Sequence, residues 1–421
     1  MATEFFPAVW RPVIVVNRHL VIFDARRAYC RQTKSGKLFS GARRLMRGAV
    51  SFRRLSINGK FLGAKPTGVH RVAEQLIRQL FCRRDELRDL FHEAPGIIAP
   101  RNVRDSDQSS FALERGGLVR GQLWEQLDLP RLARRDLLLN LCNLGPMAST
   151  AAITMIHDAQ VFITPESYSW AFAKWYRNVL PVIGHRHVRI LAVSEFSAAQ
   201  LVRFGVARPE QISVISNGVD HLLAHEPLTK IVDRLQLNRR KFVVALANVQ
   251  AHKNVGLLLR AFADPALAGI KLVLVGAAGA KEFEALGHSI PQGAVFTGRI
   301  EDGELRALLE AALCLAFPST TEGFGLPPLE GMTVGCPAVL APCGALPEVG
   351  GDAAMFAAAD DPRKWVEAIG QLATDSNVWE RFSLAGRERA RLFSWDRAGE
   401  KLVEVIRRVV ASQRSGGDGR F

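Results

Sequence analysis

From about residue 54 the chain alternates short apolar runs with stretches whose apolar residues recur every three or four positions. In the first half the runs are RLSINGKFL at 54–62, GIIAP at 96–100, LLLNL at 137–141, AITMI at 152–156, ILAV at 190–193 and ISVI at 212–215. Their length and their Val, Ile and Leu content predict strands. Val69, Val72, Ala73, Leu76, Ile77 and Leu80 keep helical spacing, which predicts a helix over 69–81. The second half repeats the grammar with FVVALA at 242–247, KLVLVG at 271–276, AVFTG at 294–298, CLAF at 314–317 and PAVL at 337–340. Strands that alternate with helices build parallel sheets covered by helices, so the predicted class is α/β with two doubly wound, Rossmann-like domains. Ligands of such sheets bind beyond the carboxyl ends of the strands, in a cleft where two sheets face each other.

The expected divisions are a first domain at 52–222, a linker at 223–240 and a second domain at 241–394. The polar linker ends in the basic trio Arg239, Arg240 and Lys241. A closing helix is expected at 395–412 and a frayed tail at 413–421.

Composition agrees with this organisation. At 421 residues the chain exceeds the size of one hydrophobic core, and a hydrophobic content of 48% is that of a globular protein. Cys30, Cys82, Cys142, Cys314, Cys336 and Cys343 form no C-x2-C pair and fall mostly in apolar segments. They read as reduced core thiols, which makes the cytoplasm the expected location. No run reaches the eighteen or so apolar residues that span a bilayer, and neither a transmembrane helix nor a secretory signal is expected. The net charge of +14 is concentrated at one end, since residues 1–54 hold twelve Lys or Arg against Glu4 and Asp24. The remainder is close to neutral and carries no nucleic-acid-reading motif, so no nucleic-acid partner is expected. The basic leader at 1–51 has the chemistry to touch an anionic membrane, but a poorly ordered extension is the reading preferred.

The most informative segment is EGFGLPPLE at 322–330, in which Glu322 and Glu330 stand eight residues apart around a Gly-Phe-Gly turn and a Pro-Pro pair. CLAFPSTT before it reads as a strand entering a loop, and Pro327 and Pro328 suit the first turn of a helix. Glu322 is then a loop residue and Glu330 a helix residue. Gly323 and Gly325 permit close backbone approach, and the unpaired amides of a helix start favour an anion such as a pyrophosphate. A carboxylate accepts from two vicinal hydroxyls at once, the grip that a sugar or ribose needs. The plainer reading of Glu330 is that it complements its own helix dipole. Three further candidates stand between strands and helices. Gly68 lies in GAKPTGVHR with Thr67 as an N-cap, His157 and Asp158 follow AITMI directly, and Lys253 lies just before a helix with apolar residues Val255, Leu258, Leu259 and Phe262.

Taken in order over about 54–395, these segments resemble the retaining family-4 glycosyltransferases (glycosyl transferases group 1), with bacterial mannosyltransferases among the members. The resemblance implies the B-type glycosyltransferase fold, with a final helix that crosses back to the first domain. It implies retaining, metal-independent transfer of a hexosyl group, mannosyl being one candidate, from a nucleotide diphosphate sugar. The acceptor would be a glycan or a lipid-linked molecule of cell-surface polysaccharide or lipopolysaccharide synthesis at the inner face of the membrane. The nucleotide sugar is a co-substrate, and no cofactor is expected.

By resemblance the catalytic residues are Glu322 at the donor sugar, Lys253 at the diphosphate and His157 near the sugar and phosphate. Glu330 would hold the ribose, and Gly323, Phe324, Gly325 and Leu326 would line the sugar and phosphate. Gly68 matches the family's PTGVxR loop, and Arg299 and Ile300 match the loop that abuts the base. Asn248 stands near a position where many members carry an arginine, which leaves the second phosphate cation unassigned and Arg299 as a candidate. Ser194 is expected as an N-cap, and Asn217, Gly218 and Asp220 as a turn entering the hinge. No DxD pair stands at a strand end, in keeping with metal independence. A nonhydrolysing sugar-nucleotide epimerase shares the architecture, and a basic membrane- or nucleic-acid-binding scaffold is the other alternative class. The acceptor site is expected in the first domain, where no motif marks it.

Overall fold

The structure is a computed structural model that describes residues 52–64, 66–103 and 113–414. The expected leader at 1–51, Cys30 and the end of the tail lie outside the described residues. The first sheet holds β1 (Leu55–Asn58), β2 (Gly96–Pro100), β3 (Leu113–Gly116), β4 (Leu137–Asn140), β5 (Ala152–Ile156), β6 (Arg189–Ala192) and β7 (Ile212–Val214), in the order β3-β2-β1-β4-β5-β6-β7. The second holds β8 (Phe242–Leu246), β9 (Lys271–Val275), β10 (Val295–Gly298), β11 (Cys314–Phe317), β12 (Ala338–Leu340) and β13 (Met355–Phe356), in the order β10-β9-β8-β11-β12-β13. The pairings are parallel, with Ile57 opposite Ile97 and Leu139, and Val244 opposite Val273 and Leu315. Every residue of β1, β2, β4, β5, β11 and β12 is buried. Helices on both faces of a parallel sheet demand this, which is why the strands read as continuous apolar runs.

Strand order reverses beside the first strand of each sheet, between β1 and β4 and between β8 and β11. Loops that leave such neighbours in opposite directions open a crevice. The segment after β1 carries Gly68, the one after β8 carries Lys253, and the one after β11 carries Glu322.

Several boundaries differ from the sequence reading, each for a local reason. The first strand stops at Asn58, because Gly59 packs so close to β2 that an added Cβ would meet Ile97 Cγ2 at 2.6 Å, and Lys60–Gly63 then form a 3-10 turn. β3 is too polar to have been predicted. It is held at the edge by Arg54, which pairs with Glu114 and also donates to the buried Asp136 at 3.1 Å. The 223–240 segment contains helix Lys230–Arg234, whose Ile231 is buried and whose Arg234 pairs with Glu304 at 3.0 Å.

The closing helix, Trp395–Arg414, buries Leu402, Ile406, Val409 and Val410 and packs on the first domain. It lies so near helix Gly68–Cys82 that a Cβ on Gly399 would meet Gln79 Cβ at 2.6 Å. One contiguous core joins Leu55 and Leu76 of the first domain, Leu315 and Leu329 of the second, and Trp395 and Ile406 of this helix. Cys142, Cys314, Cys336 and Cys343 are free thiols. Among the described residues no helix is long and apolar enough to cross a membrane.

Candidate functional site

Lys253 ends the 3-10 turn Ala251–Lys253, and its Nζ donates to Glu322 Oε1 at 2.7 Å. The turn is carried there by Asn254, which sits in the left-handed region at φ 53° and donates to the carbonyl oxygens of Pro318 (3.1 Å) and Ala359 (2.7 Å). Thr320 N donates to His252 O at 2.8 Å, so the loops after β8 and β11 are tied together. Glu322 is itself backed by Gly344. With φ +63° this glycine lies so close that a Cβ would meet Glu322 N at 2.5 Å and Glu322 O at 2.8 Å. The outcome is a half-buried ion pair at the mouth of the β8–β11 crevice.

Gly323 is pressed against the first domain. Its carbonyl accepts from Ser194 Oγ at 2.6 Å and Ser197 Oγ at 2.9 Å, and a Cβ at 323 would meet the His157 carbonyl oxygen at 2.3 Å. Gly325 adopts φ +107° against Leu346. Both glycines are therefore explained by protein packing, apart from any ligand. Phe324 is buried, edge-on to Phe393 with ring centroids 5.7 Å apart, so its side chain belongs to the core. Leu326 opens helix Leu326–Thr333, with Pro327 and Pro328 in its first turn. Its Cδ1 lies 4.0 Å from where a Gly68 Cβ would stand, which brings the Thr67-capped helix Gly68–Cys82 across from it.

His157 is buried with its Nε2 donating to Leu141 O at 2.8 Å, which fixes the ring proton and leaves Nδ1 as an acceptor. Burial lowers its pKa to about 4. A neutral imidazole accepts from a hydroxyl but does not offset phosphate charge, which narrows the role that the resemblance implied. Burial pushes the Asp158 carboxyl up from its ordinary value, and Glu322 adds to the effect.

Glu330 is buried on its helix, with Oε1 3.0 Å from His221 Nε2 and 3.7 Å from Arg71 Nη1. Arg71 Nη2 also donates to Asp302 Oδ1 at 2.7 Å, so a first-domain guanidinium bridges two second-domain carboxylates. Asn248 is taken up in a turn, accepting from Gln250 N at 2.9 Å. Arg299 is exposed, while Ile300 packs on the core and lines a cavity of about 520 Å³ with Leu228, Asp302 and Gly303. Among the described residues no contact joins Arg299 or Asn248 to Glu322, Lys253 or Glu330. Sequence reasoning passed over Arg71, His221, Asn254 and Gly344. Only Arg71 carried a signal, being the basic residue one helical turn after Gly68.

A second cavity, of about 690 Å³, is lined by Phe162, Tyr168, Trp170, Lys174, Arg177 and Phe204 among others. It adjoins the site through Tyr168, whose hydroxyl donates to Gln160 Oε1 at 3.0 Å, while Gln160 Nε2 donates to Thr321 O at 3.1 Å.

Residues 66–221 match the family described as Glycosyltransferase Family 4, and residues 240–375 match Glycosyl transferases group 1. The D-inositol 3-phosphate glycosyltransferase of Salinispora tropica is 30% identical over 299 residues, covering 62% of this chain and 61% of that relative. The chain thus spans about three fifths of its length. The O-antigen chain mannosyltransferase B of Escherichia coli is 25% identical over 370 residues, covering 81% of this chain and 96% of the relative. Among solved structures, Anabaena HepE in complex with UDP and glucose superposes with a TM-score of 0.65 at 17% identity, over 85% of this chain and 100% of that one. WaaG, a glycosyltransferase involved in lipopolysaccharide biosynthesis, gives 0.63 at 15% identity, over 84% and 99%. These likenesses establish the B-type, two-domain fold.

Proposed function

The chain belongs to the group 1, family 4 glycosyltransferases, and from that premise we propose that it moves a hexosyl group from a nucleoside diphosphate sugar to a glycan or lipid-linked acceptor, with retention of configuration. The observation that carries the reading is the Lys253–Glu322 pair, 2.7 Å apart and half-buried at the topological switch point of the second sheet. In this reading Lys253 meets the diphosphate and stabilises the charge that builds as it departs, and Glu322 orients the donor sugar. Glu322 has one oxygen already committed to an ammonium, which suits an orienting group better than a nucleophile. Departure and attack on the same face, assisted by the diphosphate, then account for retention.

Lys253 charge and helix-start amides take the part that a metal plays elsewhere, so activity is expected to survive a chelator. Glu330 grips the ribose. Mannosyl is the candidate hexosyl group, since a mannosyltransferase of O-antigen synthesis aligns over most of the chain. The cavity of about 690 Å³ beside Tyr168 is the proposed acceptor region, where Trp170 and Tyr168 offer ring faces and Lys174 and Arg177 offer cations. A peripheral, cytoplasmic position would bring it to a lipid-linked acceptor.

The test is transfer from a panel of nucleotide sugars, with product configuration read by NMR. Glu322→Gln and Lys253→Ala should each lower turnover at least about ten- to a hundredfold, because a charge-assisted hydrogen bond contributes about 1.5–3 kcal/mol. Near-normal turnover in either folded variant would sink the assignment, and isomerisation of donor without acceptor would point to an epimerase.

A further inference from the structure

One oxygen of the Glu330 carboxylate meets the ring of His221, which has a donor beside each of its nitrogens. Trp395 Nε1, a group that only donates, lies 3.1 Å from His221 Nδ1 and favours a proton on Nε2, whereas Arg71 Nη1, also only a donor, lies 2.8 Å from Nε2 and favours a proton on Nδ1. With the proton on Nε2, that nitrogen donates to Glu330 Oε1, which lies 3.0 Å away. The side chains of Glu330, His221 and Trp395 are buried. Arg71 Nη1 also lies 3.7 Å from Oε1, a charge contact that either tautomer leaves in place. Both of the polar contacts described for Glu330 are to Oε1.

We infer that His221 is a positioning residue for nucleotide binding: held as the Nε2–H tautomer by Trp395, it fixes Oε1 of Glu330 and presents Oε2 to a ribose diol. The inference rests on the ribose role given to Glu330 above. The terminal torsion of a glutamate is broad, so one hydrogen bond at a known oxygen is what sets it. A carboxylate oriented in advance loses less freedom on binding. Trp395 opens the closing helix, and its backbone amide donates to Asp220 Oδ1 at 2.8 Å, one residue before His221. Docking of that helix on the last turn of the first domain thus prepares the ribose carboxylate of the second domain. Without the indole the ring is free to take the other tautomer, in which Nε2 accepts from Arg71 and releases Glu330.

The experiment compares affinities of UDP, GDP and ADP with those of their 2′,3′-dideoxy counterparts by calorimetry, using the full chain. The folded wild type should prefer the tightest ribonucleotide over its dideoxy form by about tenfold or more. That ratio should fall to within about threefold of unity in His221→Leu, Glu330→Gln and Trp395→Phe. It should recover in His221→Gln, whose amide both accepts from Trp395 and donates to Glu330. Donor KM should rise in His221→Leu with kcat at saturation little changed.

A His221→Leu protein that keeps the wild-type ratio, or that weakens ribo and dideoxy forms equally, overturns the inference. Wild-type binding without ribose preference removes the role of Glu330, and the inference with it, yet leaves Lys253 at the diphosphate. Failure of every nucleoside diphosphate to bind the wild type removes the functional reading as a whole.

Discussion

Glu322 is held from three sides: by Lys253 at its carboxylate, by Gly344 against its backbone, and by Ala345 N, which donates to its carbonyl at 3.0 Å. Gly344→Ala should therefore disturb the site without touching its chemistry. A side chain in the left-handed region costs about 1–2 kcal/mol, and a contact of 2.5 Å to backbone adds to it. The expected outcome is a lower urea midpoint together with a loss of turnover comparable to that of Glu322→Gln. Unchanged stability and turnover would show that the 344 turn does not support Glu322. Glu322, Lys253 and Glu330 were legible because their residue types and spacing carry chemistry wherever the chain goes. Arg71, His221 and Asn254 act through partners 231, 174 and 105 residues away in sequence, and no local pattern encodes such distances.

Helix Glu195–Arg203 shows how one element joins the two domains. Ser194 caps it, accepting from Ser197 N, as the sequence suggests. Its first two amides, of Glu195 and Phe196, donate to Glu348 Oε1 and Oε2 at 2.9 and 3.0 Å, so a second-domain carboxylate occupies the positive end of a first-domain helix. Glu348→Ala should lower stability by about 1–2 kcal/mol, the range of a lost cap, as read by chemical denaturation. A change under a few tenths would mean that water replaces the carboxylate without cost. The buried strands and the helix at 68–82 were legible because burial on both faces writes itself as apolar runs. β3 and β13 were not. One is a polar edge strand secured by an ion pair with Arg54, and the other is two residues long.

Two of the four buried histidines among the described residues, His157 and His187, each have a pKa lowered by burial to about 4. A depressed histidine is neutral in the folded chain while the unfolded chain takes up protons near pH 6.5. Stability is then complete above pH 6.5 and declines as the pH falls toward 4, by up to about 3 kcal/mol for each residue. Asp158, whose carboxyl is pushed up by burial, works in the opposite sense, so Asp158→Asn should stabilise the protein at neutral pH and lose that advantage in acid. Urea titrations across this range check both signs, and a flat profile in His187→Gln relative to wild type isolates one histidine. The fold was legible because two sheets share one grammar. The cavity proposed for the acceptor was silent, being formed by aromatic and basic residues of no fixed spacing. In the proposed function the cleft grips a nucleoside diphosphate sugar through Lys253. Thermal unfolding with UDP-, GDP- and ADP-sugars tests it most directly, because a ligand at a hundred times its Kd stabilises by about 2.7 kcal/mol. The account predicts that at least one donor raises the midpoint of the wild type and that Lys253→Ala, equally folded, loses most of that rise. No rise with any donor, or an undiminished rise in Lys253→Ala, would contradict it.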